Sequence, residues 1–188
     1  TITELSLMTV TNTATDADVP PNGLSYQLIT GPAGSVIDSS GIITWTPTEA
    51  QGPGSFVFTT VVTDNGSPNL STTNLFTVTV NELNTAPTLP SQVARTINEL
   101  AQLVVTNTGS DVDVPANFLS YQLLNGPAGA IIDSAGVIRW TPSEAQGPGS
   151  YTLTTVVTDS GVPALSATNS FIVTVNETNS NPVLPIQG

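Results

Sequence analysis

Neither cysteine nor histidine occurs among the 188 residues, and lysine is missing as well. Those absences exclude disulfides, thiol nucleophiles, imidazole bases, the usual Cys/His zinc sites and any crosslink through a lysine amine. Positive charge is confined to Arg95 and Arg139, against 14 acids, for a formal net charge of −12. Nothing here neutralises a row of phosphates, so no nucleic-acid partner is expected. No apolar run approaches the ~18 residues of a membrane span, and no signal peptide is visible. Membrane insertion of this segment is therefore not expected, and an export signal would lie outside it. Paired acids such as Asp111 and Asp113 stand without a base, nucleophile or cofactor motif, so the reading is not an enzyme.

What the chain does have is a repeat. Trp45 and Trp140, Tyr26 and Tyr121, and Glu82 and Glu177 are each 95 positions apart (140 − 45 = 95), and no insertion is needed to keep that register. Two modules of ordinary domain size follow. The chain covers two periods less two residues (2 × 95 − 188 = 2), a frame that reads like part of a longer periodic object.

Within each copy the apolar residues alternate, as they do in half-buried strands. Leu24, Tyr26 and Leu28 share one face; so do Phe56, Phe58, Thr60 and Val62, and then Phe76, Val78 and Val80. Their twins are Tyr151, Leu153, Thr155 and Val157, followed by Phe171, Val173 and Val175. A strand is expected over residues 5–10 and again over 100–105. The "DSSG" before Ile42 marks a hairpin with Gly41 at positive φ. "TPTEAQGPGS" is a loop whose only helical hint is Glu49-Ala50-Gln51. Short strands broken by Gly and Pro turns specify an all-β fold: two tandem immunoglobulin- or cadherin-like β-sandwiches.

The ends of the modules set the domain boundaries. Residues 87–95 look like the first, edge-type strand of the second module, where prolines are tolerated. On that basis module one spans 1–85 and lacks its first strand, module two spans 86–181, and 182–188 is an orphan first strand of a following or neighbouring module. A subunit that lends this tail to the next by strand addition would give head-to-tail assembly.

The 14 acids divide evenly between the copies, each recurring 95 positions on. Glu82 and Asn84 lie in the joint between modules, Asp111 and Asp113 in a turn-rich loop, and Asp159 at the end of a long strand. Strands of alternating direction gather such loops at one pole. Hard oxygen ligands without His or Cys suit Ca²⁺, which takes six to eight oxygens at roughly 2.3 to 2.6 Å.

These motifs resemble those of cadherins. "DADVP" and "DVDVP" look like the cadherin Asp-x-Asp motif, "ELNTAP" and "ETNSNP" like its interdomain linker, and "INEL" supplies an N-terminal Glu. "LSYQL", "GPAG", "GIITWTP", "EAQGPGS" and "VVTDNGSP" are similar to the cadherin-like and immunoglobulin-like tandem repeats of large bacterial surface proteins. The resemblance covers essentially the whole chain. It implies one Ca²⁺ at the internal joint, held by Asn84, Asp111, Asp113 and Asp159 with the carbonyls of Ala86 and Asn117. Glu4, Glu49 and Glu82 are the implied module-one ligands for a second ion there. Glu99, Glu144 and Glu177, with Asn179, would serve the far end of module two, and Asp16, Asp18 and Asp64 the free end of module one. Thr85 and Ser180 replace the second linker Asp of the family, and only the Glu of its Asp-Arg-Glu motif remains. One or two ions are expected rather than a full set of three.

The resulting expectation is an extracellular or cell-surface structural and adhesive repeat, a Ca²⁺-stiffened rod or head-to-tail filament. Its expected partners are copies of itself or adjacent repeats, with surface glycans or proteins as further candidates. The alternative from another class is a carbohydrate-binding module, which would need Trp45 or Trp140 exposed as a sugar platform. Their shared face with Ile43 and its twin favours the core instead.

Overall fold

The computed structural model describes residues 1–182 and 184. It divides into two units, Thr1–Leu83 and Asn84–Gly188. Unit one contains β1 (Ile2–Thr3), β2 (Met8–Thr11), β3 (Leu24–Thr30), β4 (Val36–Ile37), β5 (Ile42–Trp45), β6 (Gly54–Asp64) and β7 (Ser71–Asn81). Unit two repeats the series with β8 (Arg95–Asn98), β9 (Leu103–Thr106), β10 (Ser120–Asn125), β11 (Ile131–Ile132), β12 (Val137–Trp140), β13 (Gly149–Thr158) and β14 (Ser166–Asn176).

Each unit is a two-sheet sandwich. In unit one a four-stranded sheet of order β1-β7-β6-β3 accompanies a three-stranded sheet of order β2-β5-β4; in unit two the corresponding orders are β8-β14-β13-β10 and β9-β12-β11. The long hairpin of each unit, β6 with β7 and β13 with β14, is antiparallel over ten residue pairs. The short first strand of each unit pairs in parallel with the last, Ile2 opposite Val80 and Ile97 opposite Val175.

The alternating apolar faces form the cores. Ile43, Trp45, Phe58, Val78 and Val80 are buried in unit one, and Ile138, Trp140, Leu153, Val173 and Val175 in unit two. Trp45 meets Phe56 and Phe58 edge-on at 5.0 and 5.5 Å between ring centroids, and Trp140 meets Tyr151 at 5.0 Å. Both tryptophans are only 1% exposed, so the sugar platform that a carbohydrate-binding module needs is not formed by them. Gly41 and Gly136 take φ of 82° and 78° in the hairpins, as their turns require.

Two expectations about strand limits change. Residues 5–10 and 100–105 are not continuous strands: β2 begins at Met8 and β9 at Leu103. The cause is a backbone reversal at Leu5 and Leu100, whose φ values of 57° and 61° lie in the left-handed region. Nor do residues 87–94 form a strand. They make one isolated bridge, Thr88 to Ser110, and the strand proper starts at Arg95. Unit one has the counterpart of that strand in β1, which pairs in parallel with β7 as β8 does with β14. The orphan strand expected at 182–188 lies, but for Pro182 and Leu184, outside the described residues.

Candidate metal sites

Among the described residues, three clusters of oxygen-bearing side chains bear on the expected sites, one in unit one and two at opposite ends of unit two. In unit one Glu4 follows β1, Glu82 follows β7, and Glu49 opens a short 3-10 turn at Glu49–Gln51. Because β1 and β7 run parallel, their C-terminal ends coincide and deliver two glutamates side by side. Carboxylate oxygens of Glu4, Glu49 and Glu82 all lie within 4.8 Å of one another. The same logic at the ends of β8 and β14 brings Glu99 and Glu177 to Glu144, again within 4.8 Å.

The backbone is shaped around these groups. Glu4 is fully buried and Glu99 is 3% exposed. The reversal at the next residue sends the N–H of Leu5 to the carbonyl of Pro47 and that of Leu100 to Pro142, both at 2.8 Å, which turns each glutamate inward. One carboxylate oxygen is used locally: Glu4 Oε1 accepts from Leu83 N–H at 2.9 Å, and Glu99 Oε1 from Thr178 N–H at 2.8 Å. The other, Oε2, is buried with no hydrogen-bond partner in either copy. A side chain at Gly52 or Gly147 would overlap that same carboxylate. The 3-10 turns that carry Glu49 and Glu144 are pinned by a capping box, in which Gln51 and Gln146 accept from the N–H of Thr48 and Ser143 at 2.9 and 2.8 Å.

Buried carboxylate oxygens that face other carboxylates rather than donors are unfavourable as bare anions, so they take up a proton or a hard cation more readily than isolated ones do. At the second cluster the carboxyl of the exposed Glu177 is raised above the ordinary glutamate value by desolvation, then by the charges of Glu99 and Glu144. The oxygen-only donor set and the glycine cradle both fit Ca²⁺.

The third cluster is built differently. Asp113, 3% exposed, accepts from Thr85 N–H at 3.1 Å, from the Thr85 hydroxyl in a short bond, and from Asn117 Nδ2 at 2.5 Å. Asn84 donates to Asp159 Oδ2 at 3.2 Å and to the Pro163 carbonyl at 2.8 Å, while its own oxygen accepts from Asn117 at 2.9 Å. Asp159 also accepts from Gly161 and Leu165 N–H, both at 3.0 Å. Desolvation acts to raise its carboxyl, but these two bonds and the Asn84 amide prevail and leave it below the ordinary aspartate value. Asp111 closes a turn by accepting from Asp113 N–H at 2.9 Å, and its Oδ2 is buried without a partner.

Asn84, Asp111, Asp113, Asn117 and Asp159 thus come together within unit two. Ala86 makes no side-chain bond there, and Asn179 is exposed. In unit one Asp16 and Asp18 sit in their own turn, where Asn22 bonds both, and Asp64 accepts from Gly66 and Leu70 N–H. Sequence reasoning missed Thr85, which it met only as a departure from the family pattern, and the glycines at 52, 147 and 161. The "EAQG" string after each proline carried the first two. Gly161 has no signal of its own; a side chain there would overlap Asn84.

Paired sheets with a parallel first strand, doubled at a fixed period and bearing oxygen clusters at strand ends, define a class: immunoglobulin-like and cadherin-like tandem repeats. The family described as "Putative Ig domain" matches residues 1–81 and 83–176, and the chain belongs to it. Among curated proteins, Protocadherin Fat 4 of Mus musculus is 32% identical over 188 residues, covering 90% of this chain and 4% of its own length. Protocadherin-16 of Rattus norvegicus is 33% identical over 191 residues, covering 92% of this chain and 6% of its own. The chain therefore spans only a small fraction of these relatives. Of solved structures, Protocadherin Gamma B2 extracellular cadherin domains 1-5 aligns with a TM-score of 0.57 at 21% identity, over 84% of this chain and 34% of that one. Drosophila N-cadherin EC1-4 aligns at 0.56 and 21%, over 83% and 42%. These structures share the fold. Among the described residues no helix is long and apolar enough to cross a membrane.

Proposed function

We propose that the chain is a non-enzymatic extracellular repeat with a structural and adhesive role, whose acid clusters hold Ca²⁺. Glu4, Glu49 and Glu82 form one site, Glu99, Glu144 and Glu177 a second, and Asn84, Asp111, Asp113 and Asp159 a third, with Ala86 and Asn117 offering carbonyl oxygens. Asn179, Asp16, Asp18 and Asp64 complete corresponding sites with neighbouring repeats. The observation that carries the reading is the buried, partnerless Oε2 of Glu4 and of Glu99, each facing two further carboxylates.

Calcium supplies the positive charge that these oxygens lack. Glu82 and Asn84 are separated by one residue, so ions held on both sides leave the linker little freedom and shift the population toward an extended rod. Affinity on the order of 10⁻⁴ to 10⁻³ M is typical of extracellular modules. At tenfold excess over that constant, one site adds about 1.4 kcal/mol of stability. Thermal melts in millimolar calcium, in magnesium and in chelator test the binding, and small-angle scattering tests the stiffening. Melts that coincide in all three would remove the calcium reading; unchanged scattering with shifted melts would remove only the rod. The partners in this reading are further copies or adjacent repeats, head to tail.

A further inference from the structure

The outer face of the three-stranded sheet differs between the units, and the difference is one of charge. In unit two Arg139 on β12 stands opposite Ile131 on β11 and opposite Val104 on β9, so one row across the three strands reads isoleucine, arginine, valine. All three side chains are exposed, Ile131 by 63% and Val104 by 46%. The same row in unit one is Val36, Thr44 and Thr9, which carries no charge and a single large apolar side chain. Of the two arginines Arg139 is the exposed one, Arg95 being half-buried. Next to this row Asp133 faces Val137, whose carbonyl accepts the Asp133 N–H at 3.1 Å. Oδ1 of Asp133 accepts from the N–H groups of Ala135 and Val137, both at 3.0 Å, and so closes the hairpin turn. Among the described residues Arg139 has no hydrogen bond or ion pair, and Asp133 bonds only within its own turn.

We infer that this face of unit two is the contact between two copies of the chain related by a two-fold axis. Because Ile138 is buried between them, Val137 and Arg139 point outward together, as do Ile131 and Asp133 on either side of the half-buried Ile132. The four positions mark a quadrilateral about 5 Å across the strands and about 7 Å along them. Opposite charges, Arg139 and Asp133, stand on one diagonal, and the aliphatic Ile131 and Val137 on the other. A two-fold axis through the centre exchanges the ends of each diagonal. It sets Arg139 of one copy on Asp133 of the second and Ile131 of one on Val137 of the second, each contact being made twice. The pattern complements itself, whereas a partner of a single charge sign would be attracted at one corner and repelled at the other. With a net charge of −12, two copies repel over most of their surface, and the exposed arginine is where an acid of the second copy finds a cation. The inference rests on the adhesive-repeat reading for taking a second copy as the partner, but it needs no metal, because no acid of the three clusters is used.

The test is sedimentation velocity of the 188-residue chain over rising concentration, in calcium and in chelator, with thermal melts to establish that each variant is folded. The parent chain dimerises in both media. Arg139→Thr, which installs the residue of unit one, removes both ion pairs and weakens dimerisation about 25-fold, at roughly fivefold for each exposed pair. Ile131→Thr weakens it as well, while Val36→Thr at the equivalent place in unit one leaves it unchanged. Arg139→Glu and Asp133→Arg are each monomeric alone and form a heterodimer when mixed, since every charged contact is then again between opposite signs. Where Asp133→Arg disrupts its turn, Asp133→Asn keeps the turn bonds and weakens dimerisation as Arg139→Thr does. A parent chain that stays monomeric, dimers that survive Arg139→Glu, a mixture of folded charge variants that fails to associate, or dimers lost in chelator overturn the inference. Dimers that persist in a chain whose melts ignore calcium support the contact and remove the calcium reading alone.

Discussion

The two ends of unit two solve the same electrostatic problem in opposite ways. At one end Asp113 and Asp159 are surrounded by donors from Thr85, Asn84, Asn117, Gly161 and Leu165, so their charges are satisfied by the protein itself. At the other, Glu99, Glu144 and Glu177 face one another, and one oxygen of Glu99 has no donor at all. The aspartate end is preorganised, and an ion arriving there must displace amides. At the glutamate end, by contrast, a bound cation would relieve repulsion.

That contrast can be broken by mutation, beginning with the largest expected effect. Asp113→Ala removes the acceptor for Thr85 and Asn117 and destabilises unit two by on the order of 2 kcal/mol in chelator, because half-buried donors are left unmet. Chemical denaturation in chelator measures it, and a loss under 1 kcal/mol would show that the aspartate end is not self-satisfied. Gly147→Ala places a methyl against the Glu99 carboxylate and costs about 2 kcal/mol by overpacking, with calcium binding at that end lost as well. Calorimetric titration should then register one site fewer than in the parent chain.

Glu99→Gln is the sharper probe, since it retains the shape and the bond to Thr178 while deleting the charge. Metal-free stability should rise while calcium affinity falls about tenfold, or 1.4 kcal/mol. Effects of the same sign in both conditions would contradict the repulsion argument. Thr85→Val, the smallest change, costs about 1 kcal/mol for the lost hydroxyl bond and leaves the glutamate end untouched. A calcium titration that changes at the glutamate end would join two clusters held here to be independent.

Much of the fold was legible because strands have a two-residue period and the repeat states everything twice. Phe56, Phe58 and Thr60 face inward with Tyr151, Leu153 and Thr155, and both tryptophans are in the cores. What escaped was set by backbone geometry rather than by pattern. Leu5 and Leu100 adopt a left-handed conformation that leucine rarely takes, and no propensity announces it. Likewise the acids of each cluster could be named from their types and recurrence, whereas the room for them, at Gly52 and Gly147, is visible only once the loop and the carboxylate share a frame. The segment 87–94 looked like a strand because prolines are allowed at edges, but a proline at 87 and another at 90 leave it few N–H groups to pair.

The parallel pairing of the first and last strands also has a mechanical meaning. In unit two the chain enters at Arg95 and leaves at Asn176, and the register sets Arg95 opposite Val173 and Asn98 opposite Asn176. Tension applied through the chain pulls these neighbours past each other along their length. The ladder bonds are then loaded together in shear rather than opened one by one, so the unit resists stretching most strongly along the direction in which a tether is pulled.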